Sequence, residues 1–274
     1  MLFLKDNRVM PKIYLGTSGY SYTDWVGPFY TDHLAPKDFL DFYALEFPFV
    51  ELNFSYYSMP RQQMMQSLVA KTPPNFIFSI KAHQSLTHEH KQEYLGKNVA
   101  IFKEGIRPLQ ENSRLGCVLF QFPYSFHYTR ENRLYLNKLF SLFNSIRLAV
   151  EFCNSKWLRD SVLEALGERQ ICFVNVDQPS LPRLLKPSSY VTAEFAYLRF
   201  HGRNTDNWWL GDNSSRYDYL YSDSELSDYV TRIKDMLKKA RLLFISFNNH
   251  ARAQAVFNAR RLKSLLLEEN LDLV

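Results

Sequence analysis

Eight short runs rich in Val, Ile, Leu, Phe and Tyr recur along the chain, and longer segments with helical periodicity separate them. Most of these runs are continuously apolar, which is typical of parallel strands covered on both faces. The pattern predicts strands at residues 12–17, 48–53, 76–81, 116–122, 147–152, 171–177, 195–201 and 242–248. It predicts helices near 36–46, 61–70, 96–111, 131–144, 156–167, 180–186, 223–240 and 251–268.

The number of these units constrains the fold. Eight strand–helix units in 274 residues match a (β/α)8 TIM barrel, which we predict as a single domain over residues 1–274. A doubly wound parallel sheet shows the same alternation, and the count of strands is the main argument against it. The helix over 223–240 has the clearest 3.6-residue spacing, with Ser222 or Ser224 as its expected N-cap. The helix near 180–186 has the weakest pattern.

Composition indicates the cellular compartment and the classes of binding partner that we expect. Cys117, Cys153 and Cys172 lie in or at the end of apolar runs, as reduced thiols of cytosolic proteins do. Charged residues interrupt the N-terminal segment and no long uncharged apolar window occurs, so we predict a cytoplasmic protein without a signal peptide or membrane partner. The net charge of +5, from 33 Lys and Arg against 28 Asp and Glu, suits small anions but does not by itself indicate nucleic-acid binding.

Polar side chains occur where nearly every predicted strand ends. They are Thr17 and Ser18, Glu51 and Asn53, Lys81 and His83, Gln121, Glu151, Asn175 and Asp177, Arg199, His201 and Arg203, and Asn248 and Asn249. Alternation along a strand places Arg199, His201 and Arg203 on one face. An unpaired charge pointing at the apolar helices would cost several kcal/mol, so we expect these groups at the C-terminal mouth, where TIM-barrel active sites lie.

These residues suggest acid–base chemistry on a small, oxygen-rich anion. The catalytic candidates are Glu51, Glu151, Asp177, Lys81 and His201. The substrate-binding candidates are Ser18, Tyr20, Trp25, Asn53, Tyr57, Gln121, Arg199, Arg203, Asn248 and Asn249. Glu51 and Glu151 would be acid and base, with Asp177 tuning one of them. The cationic members would hold a phosphate or carboxylate, and Lys81 as a Schiff-base nucleophile would need a dry pocket.

A structural interpretation of the same residues remains open. The charged members sum to zero: Glu51, Glu151 and Asp177 against Lys81, Arg199 and Arg203. They could therefore pair with one another and close the top of the barrel, although buried ion pairs stabilise weakly.

Three loop motifs are ambiguous between ligand binding and plain structure. The glycines at 16–22 could present N–H groups to an anion or form a tight turn, and the aromatic segment 24–30 could cover the mouth or pack as a plug. His88-Glu89-His90 looks like a metal motif but lacks a third ligand in register, so a solvated loop is favoured.

Asn249 is a candidate cap for the last helix, whose N-terminus would attract anions.

No cofactor is required by any motif, but a divalent metal remains possible. Its ligands would come from His83, His201, Glu51, Glu151 and Asp177, if these side chains converge.

Taken together, the segments resemble the YecE-like family, domain of unknown function 72, over residues 13–266. The matching residues are Gly16 to Tyr22, Trp25, Gly27, Phe29, Tyr30, Val50 to Asn53, Phe54 to Tyr57, Phe76 to Lys81, Thr87-His88, Leu115-Gly116, Leu119 to Pro123, Glu151-Phe152, Trp157, Asp177 to Pro179, Leu198 to Arg203 and Phe247 to Asn249. The resemblance implies a TIM barrel but no activity, because the family's function is unassigned. A distant similarity of the family to barrel enzymes that cut nucleic acid at abasic sites, or isomerise sugars, suggests DNA binding for relatives.

The chain departs from that family at two places. Cys153-Asn154 stands where members usually carry Arg-His, and His250 stands where many carry Asp. Both differences remove charge that is typical of the family's site.

Three functional hypotheses follow. The first is the enzyme described above. The second is a nucleic-acid-binding protein or phosphodiesterase, with stacking rings drawn from Trp25, Tyr56, Tyr57, Trp208 and Trp209. The third is a sensor that binds a ligand without turnover. The sequence leaves the substrate and the oligomeric state open.

Overall fold

A computed structural model describes residues 10–89 and 91–274 and contains a closed barrel of parallel strands. The strands follow one another in sequence order, and β1 pairs with both β2 and β8. They are β1 (Lys12–Ser18), β2 (Phe49–Leu52), β3 (Ile77–Lys81), β4 (Leu115–Phe122), β5 (Leu148–Phe152), β6 (Cys172–Asp177), β7 (Phe195–Phe200) and β8 (Leu242–Phe247). The predicted (β/α)8 barrel is confirmed, and the doubly wound sheet is wrong because an open sheet has edge strands.

Helices follow the strands on the outside of the barrel. They are α1 (Phe39–Tyr43), α2 (Phe54–Tyr57), α3 (Gln62–Ala70), α4 (Gln84–Thr87), α5 (Leu95–Glu111), α6 (Arg130–Ser141), α7 (Asp160–Glu168), α8 (Asn213–Arg216), α9 (Asp223–Leu237) and α10 (Gln254–Glu268). Short 3-10 turns occur at Thr23–Trp25, Pro36–Asp38, Gln92–Tyr94, Ser155–Trp157 and Ala251–Ala253. Within the described residues, no helix is both long enough and apolar enough to cross a bilayer.

Helix α9 begins at a capping box. The Ser222 hydroxyl accepts from the Glu225 N–H, and the Glu225 carboxylate accepts from the Ser222 N–H at 2.8 Å. Of the two expected caps, Ser222 is therefore the one used. Such a cap contributes about 1 kcal/mol and fixes where the long connection from β7 enters the helix.

The helix predicted near 180–186 is wrong. The connection between β6 and β7, which the structure describes in full, contains no helix. Pro182 lacks an N–H and disfavours helical backbone before it. The Asn175 side chain on β6 binds the connection instead. It accepts from the Tyr190 N–H and the Ser188 hydroxyl, both at 2.8 Å, and donates to the Tyr190 carbonyl at 2.8 Å.

The lower part of the barrel interior is filled by aromatic rings. Phe244 stacks on Phe49, with 5.1 Å between ring centroids, and also contacts Tyr14 and Tyr197 at 5.7 and 5.8 Å. Each buried ring stabilises the fold by about 1.5–3 kcal/mol through loss of exposed apolar surface. This apolar layer closes the N-terminal half of the barrel, so polar side chains gather in the other half.

The three cysteines are free thiols, as predicted. Cys117 and Cys172 are buried, and Cys153 is half-buried at the end of β5. Burial raises the pKa of the Cys153 thiol to about 12, which keeps it protonated at neutral pH.

Candidate functional site

A cavity of about 510 Å³ lies at the C-terminal ends of the strands, and we call it the mouth chamber. It is lined by Tyr22, Asn53, Tyr56, Tyr57, Lys81, His88, Gln121, Arg199, Arg216, Tyr217, Asn248 and His250. Strand ends supply Asn53, Lys81, Gln121, Arg199 and Asn248, and α2 supplies Tyr56 and Tyr57. The connections after β1, β3, β7 and β8 supply the rest, which are Tyr22, His88, Arg216, Tyr217 and His250. This is the position at which TIM barrels hold their active sites.

A buried ion cluster lies inside the barrel at the base of the mouth chamber. Arg199 on β7 binds the Glu51 carboxylate with two hydrogen bonds, from Nε at 2.9 Å and Nη2 at 2.6 Å. Its Nη1 donates to Glu151 at 2.5 Å, so one guanidinium holds two carboxylates. The Tyr197 hydroxyl adds a fourth bond, to Glu51 at 2.7 Å. All four side chains are almost inaccessible to solvent.

This pairing decides the ionisation of the two carboxyls. Burial by itself would raise the pKa of Glu51, but the Arg199 charge and hydrogen bonds hold it below the ordinary value. The pKa of Glu151 is lowered in the same way, against the effect of burial, by Arg199 and His201. Both carboxyls are therefore ionised at neutral pH, and neither has the raised pKa expected of a general acid.

Two side chains from other strands complete the surroundings of Glu151. Asn248 Nδ2 donates to His201 Nδ1 at 3.1 Å, so the imidazole carries its proton on Nε2 and donates it to Glu151 Oε1, also at 3.1 Å. Gln121 Nε2 donates to the same carboxylate oxygen. The result is a fully bonded polar layer that fixes Arg199 in place.

Lys81 at the end of β3 lacks a carboxylate partner among the described residues. Among the described residues, no carboxylate oxygen lies within 4.0 Å of its ammonium group, which lies 4.5 Å from the centroid of the Tyr56 ring. Burial and the Arg199 charge, against the opposing effect of Glu151 and Glu51, lower the pKa of Lys81 to about 8. An appreciable fraction of this amine is neutral near physiological pH.

The lining of the mouth chamber is electropositive. Lys81, Arg199 and Arg216 contribute cations, and His88 and His250 contribute imidazoles, whereas no Asp or Glu occurs among the described lining residues. The carboxylates that neutralise Arg199 lie beneath it, out of the chamber. The lining that a ligand meets is therefore cationic, although the cluster below it pairs the single charge of Arg199 with two ionised carboxylates.

Two lining residues carry buried polar atoms without a partner. Asn53 Oδ1 is an unsatisfied acceptor and Arg216 Nε an unsatisfied donor. Buried polar atoms are nearly always hydrogen-bonded to protein or to ordered water. A partner for these two atoms would offer a donor to Asn53 and an acceptor to Arg216.

The loops over the mouth chamber are held by aromatic contacts. Tyr22 stacks on His250 with 4.5 Å between ring centroids, and its hydroxyl donates to the Ser18 carbonyl at 2.6 Å. Burial lowers the pKa of His250, with Asp24 opposing. Both rings are therefore neutral parts of the chamber wall at neutral pH.

Comparison with known proteins places the chain in a family. A family profile described as "Protein of unknown function DUF72" matches residues 14–273. The chain belongs to the DUF72 family. This confirms the resemblance seen in the sequence.

Relatives of the DUF72 protein share the barrel. The UPF0759 protein YunF of Bacillus subtilis (strain 168) is 29% identical, with 93% of this chain and 94% of that protein aligned. The crystal structure of a DUF72 family protein from Thermotoga maritima MSB8 superposes with a TM-score of 0.86 at 38% identity, covering 93% of this chain and 99% of that one. A DUF72 family protein from Enterococcus faecalis V583 gives a TM-score of 0.83 at 28% identity, with 93% and 95% covered.

The DUF72 barrel holds a second buried cluster, on the outer face of β6. The Asp177 carboxylate accepts from the hydroxyls of Tyr221 and Tyr229, both at 2.6 Å, and from Arg203 Nη2 at 2.7 Å. Arg203 also binds Glu225 at 2.9 Å. Since Tyr229 lies on α9, this cluster joins the barrel to that helix. Asp177 therefore does not approach the two glutamates that it was expected to tune.

Arg203 does not share a face with Arg199 and His201, as the alternation had predicted. Gly202 has a φ of +87°, a left-handed conformation that favours glycine and interrupts the alternation of side chains after β7. A Cβ added at Gly202 would lie 2.8 Å from the Tyr219 Cβ. The prediction is correct for Arg199 and His201, which both bind Glu151, and wrong for Arg203.

The other predicted site residues of this DUF72 chain divide between the mouth chamber and the surrounding structure. Those that line the chamber are Lys81, Asn53, Tyr57, Gln121, Arg199 and Asn248. Those buried just beneath it are Glu51, Glu151, His201 and Ser18, whose hydroxyl bonds to Ser246 at 2.7 Å. The chamber residues that sequence reasoning did not place there are Tyr22, His88, Arg216, Tyr217 and His250.

Three predicted binding residues have structural contacts instead. Trp25 is buried and donates to the His250 carbonyl at 2.7 Å, and Tyr20 packs on Tyr43, with 6.2 Å between centroids. Asn249 donates to Asn258 and to the Tyr219 carbonyl, both at 2.8 Å, on the outer side of β8. Asn249 does not cap α10, whose N-cap is Ala253 with left-handed backbone.

The expected metal ligands do not converge. His83 accepts from the Ser85 N–H and caps α4, while Asp177 belongs to the outer cluster. Within residues 10–89 and 91–274 there is no group of three or more side chains suited to hold a metal ion. His88, assigned to a solvated loop, lies instead against Tyr56 in the chamber wall, with 4.9 Å between centroids, and His90 lies outside the described residues.

Proposed function

We propose that this protein is an enzyme that binds a small, anionic, oxygen-rich molecule, such as a sugar phosphate or hydroxy acid, in the mouth chamber. The observation that carries the proposal is a chamber of about 510 Å³ lined by three cations and by no described carboxylate. Glu51 and Glu151 neutralise Arg199, but among the described residues neither Lys81 nor Arg216 has a carboxylate oxygen within 4.0 Å, and burying such charges is costly unless a ligand supplies negative charge. The volume suits a small molecule rather than a polymer segment.

The anionic end of the ligand would lie against Arg216. Its unpartnered Nε is a fixed donor, and a guanidinium matches a phosphate or carboxylate with paired hydrogen bonds. The amides of Asn53, Gln121 and Asn248 line the same space, and they suit the hydroxyl and carbonyl oxygens of an oxygen-rich ligand.

Lys81 is the group we propose for proton transfer. With a pKa of about 8 it exchanges a proton near neutral pH, which the ionised and paired Glu51 and Glu151 do not. This replaces the acid–base roles first assigned to the two glutamates. Their proposed role is to hold Arg199, which in turn stabilises negative charge that develops on the substrate.

Calorimetric titration with inorganic phosphate and ribose 5-phosphate tests the binding half of the proposal. The Arg216→Met variant should bind phosphate at least about tenfold more weakly, which is the loss of one charge-assisted hydrogen bond. The matched control is Arg107→Met on α5, whose arginine is half-exposed and away from the chamber, and it should bind as the wild type does. No binding by the wild type, or equal losses in both variants, would refute the anion site.

Turnover tests the enzyme half. A defined pool of sugar phosphates and hydroxy acids is incubated with the wild type or with Lys81→Met, and its composition is followed by mass spectrometry. Conversion by the wild type that is lost in Lys81→Met supports the enzyme. Phosphate binding without any conversion would favour the sensor.

Nucleic-acid binding is a second candidate, favoured by the exposed rings of Tyr57 and Trp209. Trp25 and Trp208, two other rings expected at a stacking surface, are buried. Binding of short DNA or RNA that weakens steeply with salt, and that Trp209→Ala reduces, would support this candidate.

A further inference from the structure

The end of β3 presents a primary amine to a ligand-sized space. Lys81 reaches the mouth chamber from the barrel interior, and Tyr56 covers one side of its ammonium group at 4.5 Å. Among the described residues, no carboxylate oxygen lies within 4.0 Å to hold the amine in its charged form. These surroundings favour the uncharged amine. They would therefore be unfavourable for a lysine whose only role was to bind an anion through its positive charge.

The same surroundings favour the neutral amine, which is the nucleophilic form. With a pKa of about 8, roughly a tenth of the Lys81 side chain is neutral at pH 7, against less than about a thousandth for an ordinary lysine. Desolvation beside cationic neighbours is a known means of activating a lysine. Arg199 is that neighbour here.

The remaining lining can position a carbonyl compound. Arg216 has an unpartnered donor for a phosphate or carboxylate at one end of the ligand. Asn53 has an unpartnered acceptor for a ligand hydroxyl. A ligand held by both lies in the same chamber as Lys81, so a carbonyl within it comes within reach of the amine.

We infer that Lys81 is a covalent catalytic residue, which forms an imine with the aldehyde or ketone group of an anionic carbonyl substrate. This inference rests on the anion-binding chamber of the proposed function and names the substrate class. It goes beyond proton transfer, because the amine becomes bonded to substrate carbon.

The proposed step balances without an oxidant or reductant. The neutral amine attacks the carbonyl carbon, a C–N bond forms, and the C–O π electrons move to oxygen, which takes the proton that the nitrogen gives up. The hydroxyl of this neutral carbinolamine then leaves as water with one proton from solvent, and the nitrogen lone pair forms the C=N bond. The protonated imine carries one positive charge, as the original ammonium did, so Glu51 and Glu151 face an unchanged charge.

Reductive trapping tests the inference. The wild-type protein is incubated with dihydroxyacetone phosphate or pyruvate and sodium cyanoborohydride, and peptides are mapped by mass spectrometry. We expect one reduced adduct on Lys81, with exposed Lys239 as the internal measure of background. Lys81→Arg keeps the positive charge but lacks a nucleophilic amine, so it should retain phosphate binding and lose the adduct.

Two further measurements separate a built site from general lysine reactivity. Arg216→Met should reduce trapping of dihydroxyacetone phosphate by about tenfold and leave trapping of neutral acetone unchanged. The rate should reach half its maximum near pH 8, and adducts on Lys239 measure the background reaction at each pH. The charged and titratable groups that set this pH at Lys81 are Arg199, Glu151, Glu51 and Cys153.

The outcomes distinguish this inference from the proposed function. Phosphate binding without an adduct on Lys81, or equal adducts on Lys81 and Lys239, would overturn the imine and leave the anion site standing. Absence of both phosphate binding and adduct would overturn both.

Discussion

Arg199 is the residue on which the polar half of the barrel depends. It brings together Glu51 from β2 and Glu151 from β5, two strands that do not pair with each other or with β7. Removing one partner of a buried ion pair is far more costly than removing an exposed one, because the remaining charge stays buried. Here two carboxylates would remain.

We expect Arg199→Met to lower the free energy of unfolding by about 3–5 kcal/mol at neutral pH. Urea denaturation followed by circular dichroism measures this loss. Arg107→Met, which breaks exposed pairs with Glu104 and Glu111, should cost less than about 1 kcal/mol. Equal losses in the two variants would contradict the central role of Arg199.

We also predict how the stability difference between the wild type and Arg199→Met depends on pH. Because the pKa of Glu51 and of Glu151 is lower in the folded protein than in the unfolded chain, their stabilisation is complete above about pH 5. It is lost as the pH falls through the folded-state pKa. The difference in stability between the wild type and Arg199→Met should therefore narrow below about pH 4.

At the scale of elements, the pairing register of the strands determines whether an acidic side chain points into the barrel or outward. Val176 is the Cα partner of Arg199, and Asp177 is the partner of Phe200. Side chains of paired positions point the same way, so Asp177 faces outward with Phe200 while Arg199 faces inward. The Asp177 carboxylate then anchors α9 through Tyr229, and it holds Arg203 at the start of the connection that carries Arg216.

This anchor predicts a local effect. Asp177→Ala leaves Arg203 and two tyrosine hydroxyls without their acceptor, and should cost about 2–4 kcal/mol. Amide hydrogen exchange should accelerate within residues 203–222, while β1 to β5 stay protected. Tyr229→Phe removes a single hydroxyl and should cost only about 1 kcal/mol. Uniform acceleration over the whole barrel would argue against a local anchor.

At the scale of the whole molecule, the two ends of the barrel have separate tasks. The N-terminal half is closed by rings around Phe244, and the C-terminal half holds the ion cluster and the mouth chamber. In TIM barrels generally, the first end contributes stability and the second contributes chemistry.

We therefore expect substitutions at the N-terminal end of the barrel to affect stability and substitutions at the C-terminal end to affect ligand binding. Phe244→Ala should cost about 3–5 kcal/mol in urea denaturation, yet the folded variant should bind inorganic phosphate as the wild type does. Arg216→Met should show the opposite combination. If Phe244→Ala retains too little stability, Phe244→Leu makes the same comparison with a smaller loss. Parallel losses of stability and binding in both variants would contradict this separation.

The sequence by itself determined the barrel, because eight apolar runs separated by helical segments leave few other arrangements. It also determined that Glu51, Lys81, Glu151 and Arg199 meet, since the C-terminal ends of parallel strands converge at one mouth. Helix prediction failed near 180–186, where Pro182 disfavours helical backbone before it, and the Asn175 side chain holds the later part of the same connection at Ser188 and Tyr190.

Only the tertiary structure decided the rest. Which side chains of β6 point out of the barrel depends on how β6 pairs with β7, and no local sequence pattern shows that pairing. Asp177 could therefore not be assigned to the outer face from the sequence. The left-handed backbone at Gly202, which alternation along a strand does not predict, placed Arg203 outside the mouth. Arg216 and Tyr217 come from the long connection after β7, and His250 comes from the loop after β8. Their place in the same chamber as Lys81 follows from packing between loops that are distant in the chain.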